Sequence, residues 1–144
     1  MINNVHYLSD QLKMASITGS IFSDGTNIYS VDMMFVYLKQ RDYPITTVPL
    51  NEFSHTFGQK CWGISNIIRY SPNDVMAFPN KYEKEYDRIM KVDLSYPIII
   101  IKNSWDGYCV IDGMHRLSYS LLNNITSIKT YVFNEDLLKK FRLN

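Results

Sequence analysis

Apolar residues recur along this chain in two spacings, and the switches between them outline its elements. Val31, Met34, Phe35 and Leu38 stand at i, i+3, i+4 and i+7, which puts four side chains on one face of a helix. Ser30 is placed to cap that helix, and Arg41-Asp-Tyr-Pro44 ends it because the residue before proline avoids helical angles. Residues 45–50 are β-rich, and Pro49, with no N–H to donate, assigns them to a sheet margin. Ser71, Pro72 and Asp74 supply a cap, a first-turn proline and a first-turn acid for a helix that Pro79 cuts short. From 81 to 91, Tyr82, Tyr86, Ile89 and Met90 follow the helical period with charges on the other sides, which predicts an amphipathic helix.

The remainder is richer in strands. Residues 97–102 and 108–112 are joined by Asn103-Ser-Trp-Asp-Gly107, a hairpin connection, and four consecutive isoleucines at 98–101 imply burial on both faces. A helix follows from about 114 to 122, where Asn123 and Asn124 can supply a left-handed end. Residues 127–133 return as a strand, and Asn134 caps a last basic helix reaching to about Arg142. The stretch 1–29 is less regular: Val5, Leu8, Leu12, Met14 and Ile17 allow a short helix before a turn at 23–27. Residues 51–70 show no period, and their Phe57-Gly58 and Trp62-Gly63 pairs predict a long ordered loop. The order of elements indicates an α+β domain, a small mixed sheet packed with helices.

Composition narrows the class. A chain of 144 residues suits one compact domain. A net charge of +1 offers no electrostatic pull toward nucleic acid, so a nucleic-acid partner is not expected. Cys61 and Cys109 are too few for a disulfide framework, and Cys109, inside an apolar strand, reads as a small hydrophobe. The start of the chain has no signal-like pattern and the isoleucine run is too short to span a bilayer, which together imply a soluble, cytoplasmic protein.

The chemistry concentrates in Tyr108-Cys-Val-Ile-Asp-Gly-Met-His-Arg-Leu-Ser118, where a strand ends at an acid and a glycine and passes directly into a helix. Gly113 permits a tight turn and close approach of a ligand, and the first N–H groups of the helix then face an anion. Arg116 can clamp a phosphate through its planar fork, and Asp112 can hold a metal ion or accept a proton. Each has a plainer role available: His115 as a hydrogen-bonding residue at a helix start, Arg116 pairing with a surface acid, Asp112 as a cap. Ser118 and Ser120 lack the signature of an activated nucleophile and suit close helix packing. His6 and His55 show no metal-ligand spacing.

With their surroundings these residues resemble the ParB/sulfiredoxin superfamily, whose domains carry a Gly-x-x-Arg or Gly-x-His-Arg motif between a strand and a helix. Thr47-Val-Pro-Leu-Asn-Glu52 is similar to that domain's first strand, Asp93-Leu-Ser-Tyr-Pro-Ile98 to the lead into its central strand, and residues 127–133 to its closing strand. The resemblance implies a single domain over 1–144, with a core at 45–133, a helical extension at 1–44 and a C-terminal helix at 134–144. Sulfiredoxins have a cysteine where this chain has Met114, and a thioether cannot supply the thiolate their reaction needs, so that activity is not expected. ParB proteins continue into a helix-turn-helix region, for which the eleven residues after Phe133 leave no room, so DNA partitioning is not expected either. A third branch, free-serine kinases, moves phosphate from a nucleotide with acidic residues as base and metal ligand. By that resemblance Gly113, Met114, His115 and Arg116 hold a nucleotide such as ATP, ADP or CTP, Asp112 carries Mg²⁺, and Asp112, Glu52 and His115 are the catalytic candidates. Asp93 is a weaker one, since an acid before Leu-Ser-Tyr-Pro can simply bracket a turn.

Mg²⁺-dependent phosphoryl transfer or nucleotide hydrolysis follows, with an unidentified acceptor. The alternative is a noncatalytic nucleotide- or phosphate-ligand-binding module that signals to a protein partner. The loop 51–70, carrying Glu52, His55, Lys60 and Trp62, is expected to cover the phosphate site; the plainer reading has Trp62 only pinning it to the core.

Overall fold

The computed structural model describes residues 20–63, 67–103 and 107–144. The short helix expected before the 23–27 turn, with His6, lies outside the described residues, as do residues 104–106 of the expected hairpin loop, Trp105 among them. The packing forms two compact units: residues 45–132, and the described residues up to Pro44 together with 133–144.

In the smaller unit, where a helical extension was expected, residues 20–30 form a hairpin. Strands β1 (Ile21–Ser23) and β2 (Ile28–Ser30) pair antiparallel around the predicted turn. Asp24 Oδ1 accepts the N–H groups of Thr26 and Asn27, which holds the Asp24 carboxyl below its usual range. Strands this short carry too few residues for a period-2 pattern to register. Helix α1 (Val31–Lys39) begins at Ser30, whose hydroxyl accepts from the Met33 N–H. Val31 and Met34 are buried, while Phe35 is exposed, so the buried stripe is narrower than the sequence suggests. The last helix, Glu135–Lys139, starts at Asn134, whose side chain accepts from the Leu137 N–H. Beyond it, Phe141 and Leu143 bury themselves and the backbone bonds back to Ser30 and Ile28.

The larger unit is an α+β structure built on a four-stranded mixed sheet. Its strands are β3 (Thr46–Pro49), β6 (Ile98–Asn103), β7 (Gly107–Asp112) and β8 (Ser127–Phe133), ordered β3-β8-β6-β7. The proline-ending strand occupies an edge, where a missing N–H costs least. β4 (Trp62–Gly63) and β5 (Arg69–Tyr70) form a separate ribbon within the stretch expected as loop. The unit also holds a 3₁₀ turn (Leu50–Phe53) and helices α2 (Pro72–Ala77), α3 (Glu83–Met90) and α4 (Met114–Leu122). Ser71 and Asp74 close a full capping box on α2. Helix α4 ends as the two asparagines predict: Asn124 adopts φ 56°, and the N–H groups of Ile125 and Asn124 reach the carbonyls of Ser120 and Leu121.

Val48, Leu50, Phe53, Phe57, Ile98, Ile100, Leu117 and Ile128 pack as the core between sheet and α4. Burying each such side chain stabilises the fold by about 1.5–3 kcal/mol. Ile99 is buried as well, so the isoleucine run is covered on both faces at 98–100. A second cluster gathers Tyr70, Val75 and Ile89, with Trp62, Tyr82, Tyr86, Tyr119 and Leu122 against them. β6 and β7 carry a bulge: Ile100 pairs with Val110 but Ile99 with Asp112, so Ile111 has no partner of its own. No helix among the described residues is long and apolar enough to cross a membrane.

Candidate functional site

The strand-to-helix junction at Asp112 to Arg116 forms one wall of a shallow pocket of about 260 Å³, completed by Val92, Asp93 and Tyr96 from the segment that leads into β6. Gly113 makes the junction possible. It sits at the N-cap of α4 with φ 117° and ψ 22°, a conformation side chains rarely adopt, and a Cβ there would lie 2.3 Å from Ile98 Cγ2. No side chain caps α4. Asp112 therefore does not do the capping job open to it, and the first-turn N–H groups stay available to a ligand.

Asp112 instead accepts a hydrogen bond from Arg116 Nη2 at 2.6 Å, one helical turn away, with the two side chains 26% and 16% exposed. Arg116 Nη1 donates to the carbonyls of Tyr96 and Pro97 at 3.1 and 3.3 Å. Three of its five N–H groups are thus directed to protein atoms, which fixes the guanidinium in the pocket wall. Asp93 is gripped by Ser95, whose hydroxyl and N–H both donate to Oδ1, and these bonds hold its carboxyl below the usual range.

His115 has surroundings the sequence did not reveal. Its Nε2 lies 2.7 Å from Glu85 Oε2 on α3, with the two side chains 20% and 13% exposed. The Tyr70 hydroxyl donates to the other carboxylate oxygen at 3.2 Å. Trp62 stacks on the imidazole with ring centroids 4.5 Å apart and planes 18° from parallel. Trp62 and Tyr70 are cross-strand partners, so a single ribbon delivers one to the His115 ring and the other to Glu85. The Arg69 guanidinium ties that ribbon to the Lys60 carbonyl. Burial pushes the His115 imidazole below its usual pKa, and Glu85 pulls the other way. The ring is therefore neutral at pH 7, where a nitrogen lone pair can take a proton.

Other candidates fall elsewhere. Glu52 does not line the pocket: the 3₁₀ turn buries Leu50 and Phe53, three apart, and leaves Glu52 exposed between them. Its carbonyl lies beside Gly107, five strand residues and so about 16 Å from Asp112. Ser118 and Ser120 are buried and donate to the carbonyls of Met114 and Arg116, four residues back, a packing role. His55 bonds the Tyr108 carbonyl. Met114 packs against the core rather than lining the pocket. Among the described residues no group of three His, Cys, Asp or Glu is arranged to hold a metal ion. Glu85 was missed, although a signal existed. With Tyr82, Tyr86 and Ile89 it completes an i, i+3, i+4, i+7 stripe, a carboxylate in a row of apolar positions.

No family model matches the chain, and no curated protein does. Among solved structures, the crystal structure of sulfiredoxin from Arabidopsis thaliana is similar to it at 17% identity and a TM-score of 0.34, covering 67% of this chain and 94% of that chain.

Proposed function

We propose that this chain is a nucleotide-binding protein of the ParB/sulfiredoxin-like superfamily, holding a nucleotide phosphate at Asp112 to Arg116 and acting in Mg²⁺-dependent phosphoryl transfer or hydrolysis. The observation that carries this reading is the left-handed Gly113 at the head of an uncapped helix, with the Arg116 guanidinium fixed one turn along in the same pocket wall. Uncapped N–H groups and an arginine fork are complementary to a phosphate group, and about 260 Å³ suits a phosphate rather than a whole nucleotide. The base and sugar then lie over the rim.

The electrostatics favour a phosphate that arrives with a cation. Asp93, Asp112 and Arg116 line the pocket together, and with His115 neutral the lining carries one negative charge in excess. Mg²⁺ needs only one or two carboxylates besides phosphate oxygens and water, which Asp112 and Asp93 can supply. Turnover in place of mere binding is favoured by His115, a half-buried neutral imidazole oriented by a carboxylate. A thermal-shift panel of ATP, ADP, CTP and GTP with and without Mg²⁺ tests the binding. A nucleotide held by the folded state alone raises the unfolding temperature, and more so with Mg²⁺. No shift with any of the four, at concentrations up to several millimolar, overturns the reading. Phosphate release then separates an enzyme from a binding module.

A further inference from the structure

We infer that Glu85 is the positioning residue of the site, fixing the His115 imidazole in the tautomer that leaves Nδ1 as a base toward the phosphoryl acceptor. The inference rests on the phosphoryl-transfer reading for its chemistry and on the geometry of α3 and α4 for its structure. An ionised carboxylate only accepts hydrogen bonds, so the 2.7 Å contact requires the proton of the neutral ring on Nε2. The lone pair then belongs to Nδ1, on a ring that lines the pocket. Glu85 is itself held. Tyr70 donates to Oε1 while Oε2 takes the histidine, and Arg88 approaches Oε2 at 3.7 Å from the same helix. Trp62 stacks on the imidazole and sets the plane of the ring, while Glu85 holds its Nε2 edge.

The groups facing His115 are Glu85 and Arg88 from α3 and Asp112 from the end of β7. The carboxylates stabilise an imidazolium and the guanidinium opposes it, an arrangement suited to a base that takes a proton transiently. In the step this serves, an acceptor hydroxyl or water gives its proton to Nδ1 as its oxygen bonds to the γ-phosphorus. The bond from phosphorus to the bridging oxygen breaks, and its electron pair leaves on the nucleoside diphosphate.

Long-range ¹H–¹⁵N spectra of the His115 ring test the tautomer in the wild-type protein, Glu85→Gln, Glu85→Ala and Tyr70→Phe. Wild type and Glu85→Gln, whose amide oxygen still accepts, should show the proton on Nε2, whereas Glu85→Ala should show a mixture. Tyr70→Phe, which leaves α3 untouched, should shift the population in the same direction. Phosphate release from ATP with Mg²⁺ should fall at least about tenfold in kcat in Glu85→Ala, with nucleotide Kd unchanged within about twofold. A wild-type proton on Nδ1, or an unaltered tautomer in Glu85→Ala, overturns the inference whatever the turnover. The expected tautomer pattern without nucleotide binding or hydrolysis sinks the phosphoryl-transfer reading instead and leaves the Glu85–His115 pair standing.

Discussion

Gly113→Ala is the sharpest test of the junction, because two separable costs fall on one methyl group. A side chain at φ 117° and ψ 22° is strained by about 1–3 kcal/mol wherever it points. This one points at Ile98, with 2.3 Å to Cγ2 and 2.7 Å to Cβ, and Ile98 is fully buried, so it cannot withdraw without moving the core. Overpacking of that kind costs a further 1–3 kcal/mol or so. The total, about 2–6 kcal/mol, is a large share of the roughly 5–15 kcal/mol that holds a domain folded. Guanidinium unfolding of the wild type, Gly113→Ala, Ile98→Ala and the double variant measures it as a cycle. Ile98→Ala removes Cγ2 and keeps Cβ, so the double variant should be less destabilised than the sum of the singles by about 1 kcal/mol, and the φ cost should persist. A loss below about 1 kcal/mol in Gly113→Ala, or strict additivity in the cycle, would refute the claim that glycine is required here by both conformation and space.

Arg116→Ala should weaken nucleotide binding at least about tenfold in isothermal titration, since a charge-assisted contact is worth about 1.5–3 kcal/mol; equal affinity in a folded variant removes the phosphate clamp. Arg116→Lys should lose affinity too, because one ammonium cannot reach Asp112 and the carbonyls of Tyr96 and Pro97 with the same fork. Asp112→Asn keeps an oxygen for Arg116 and should retain nucleotide binding while losing nearly all phosphate release; unchanged release rejects a catalytic role for Asp112. In a Trp105→Phe protein, Trp62 emission should change on adding ATP with Mg²⁺, because Trp62 rests on a ring of the pocket wall; a spectrum indifferent to saturating ligand returns the ribbon to a packing role. Burial holds the His115 pKa below its ordinary 6.5, so the unfolded chain takes up that proton first. Stability should therefore decline as pH falls through about 6.5 and level off once the folded state is protonated as well. Urea unfolding at several pH values should find that decline absent in His115→Gln, and a decline common to both proteins would assign it elsewhere. Asp24, Asp74 and Asp93, with lowered pKa values, act only below about 3.8 and leave this window clear.

Local signals were legible in the sequence wherever the physics is local. The caps at Ser30, Ser71 and Asn134 each act on an N–H group three residues away, and Asn124 ends its helix through its own φ, so each could be read without knowing the fold. The run from Asp112 to Arg116 was legible for the same reason: a strand, a glycine and a helix with an arginine one turn in. What failed to show was tertiary. Glu85 meets His115 across 30 positions of sequence, and Trp62 reaches it through a ribbon whose strands are two residues long, too short for any period. Glu52 misled because sequence order after Val-Pro-Leu says nothing of which way a 3₁₀ turn faces its middle residues. The hairpin at 20–30 escaped notice because three-residue strands cannot establish alternation.

The bulge at Ile111 works as a phase marker. Cross-strand partners share a face, so Val110 lies with Ile100 on the side of the core, whereas Asp112 lies with Ile99 on the other side. Strict alternation would have put Asp112 on the face of Val110, beneath α4, a carboxylate among isoleucines. The supernumerary residue reverses that parity at the last step before the helix. The length of β7 is therefore a coded quantity. Deleting Ile111 would turn the bulge into a regular ladder with Asp112 still opposite Ile99, whereas deleting Cys109 or Val110 would shift the residues before the bulge to the opposite face. Deletions at the paired positions of this strand should be far less tolerated than deletion of Ile111, a bias that a deletion scan across 107–112 would register directly.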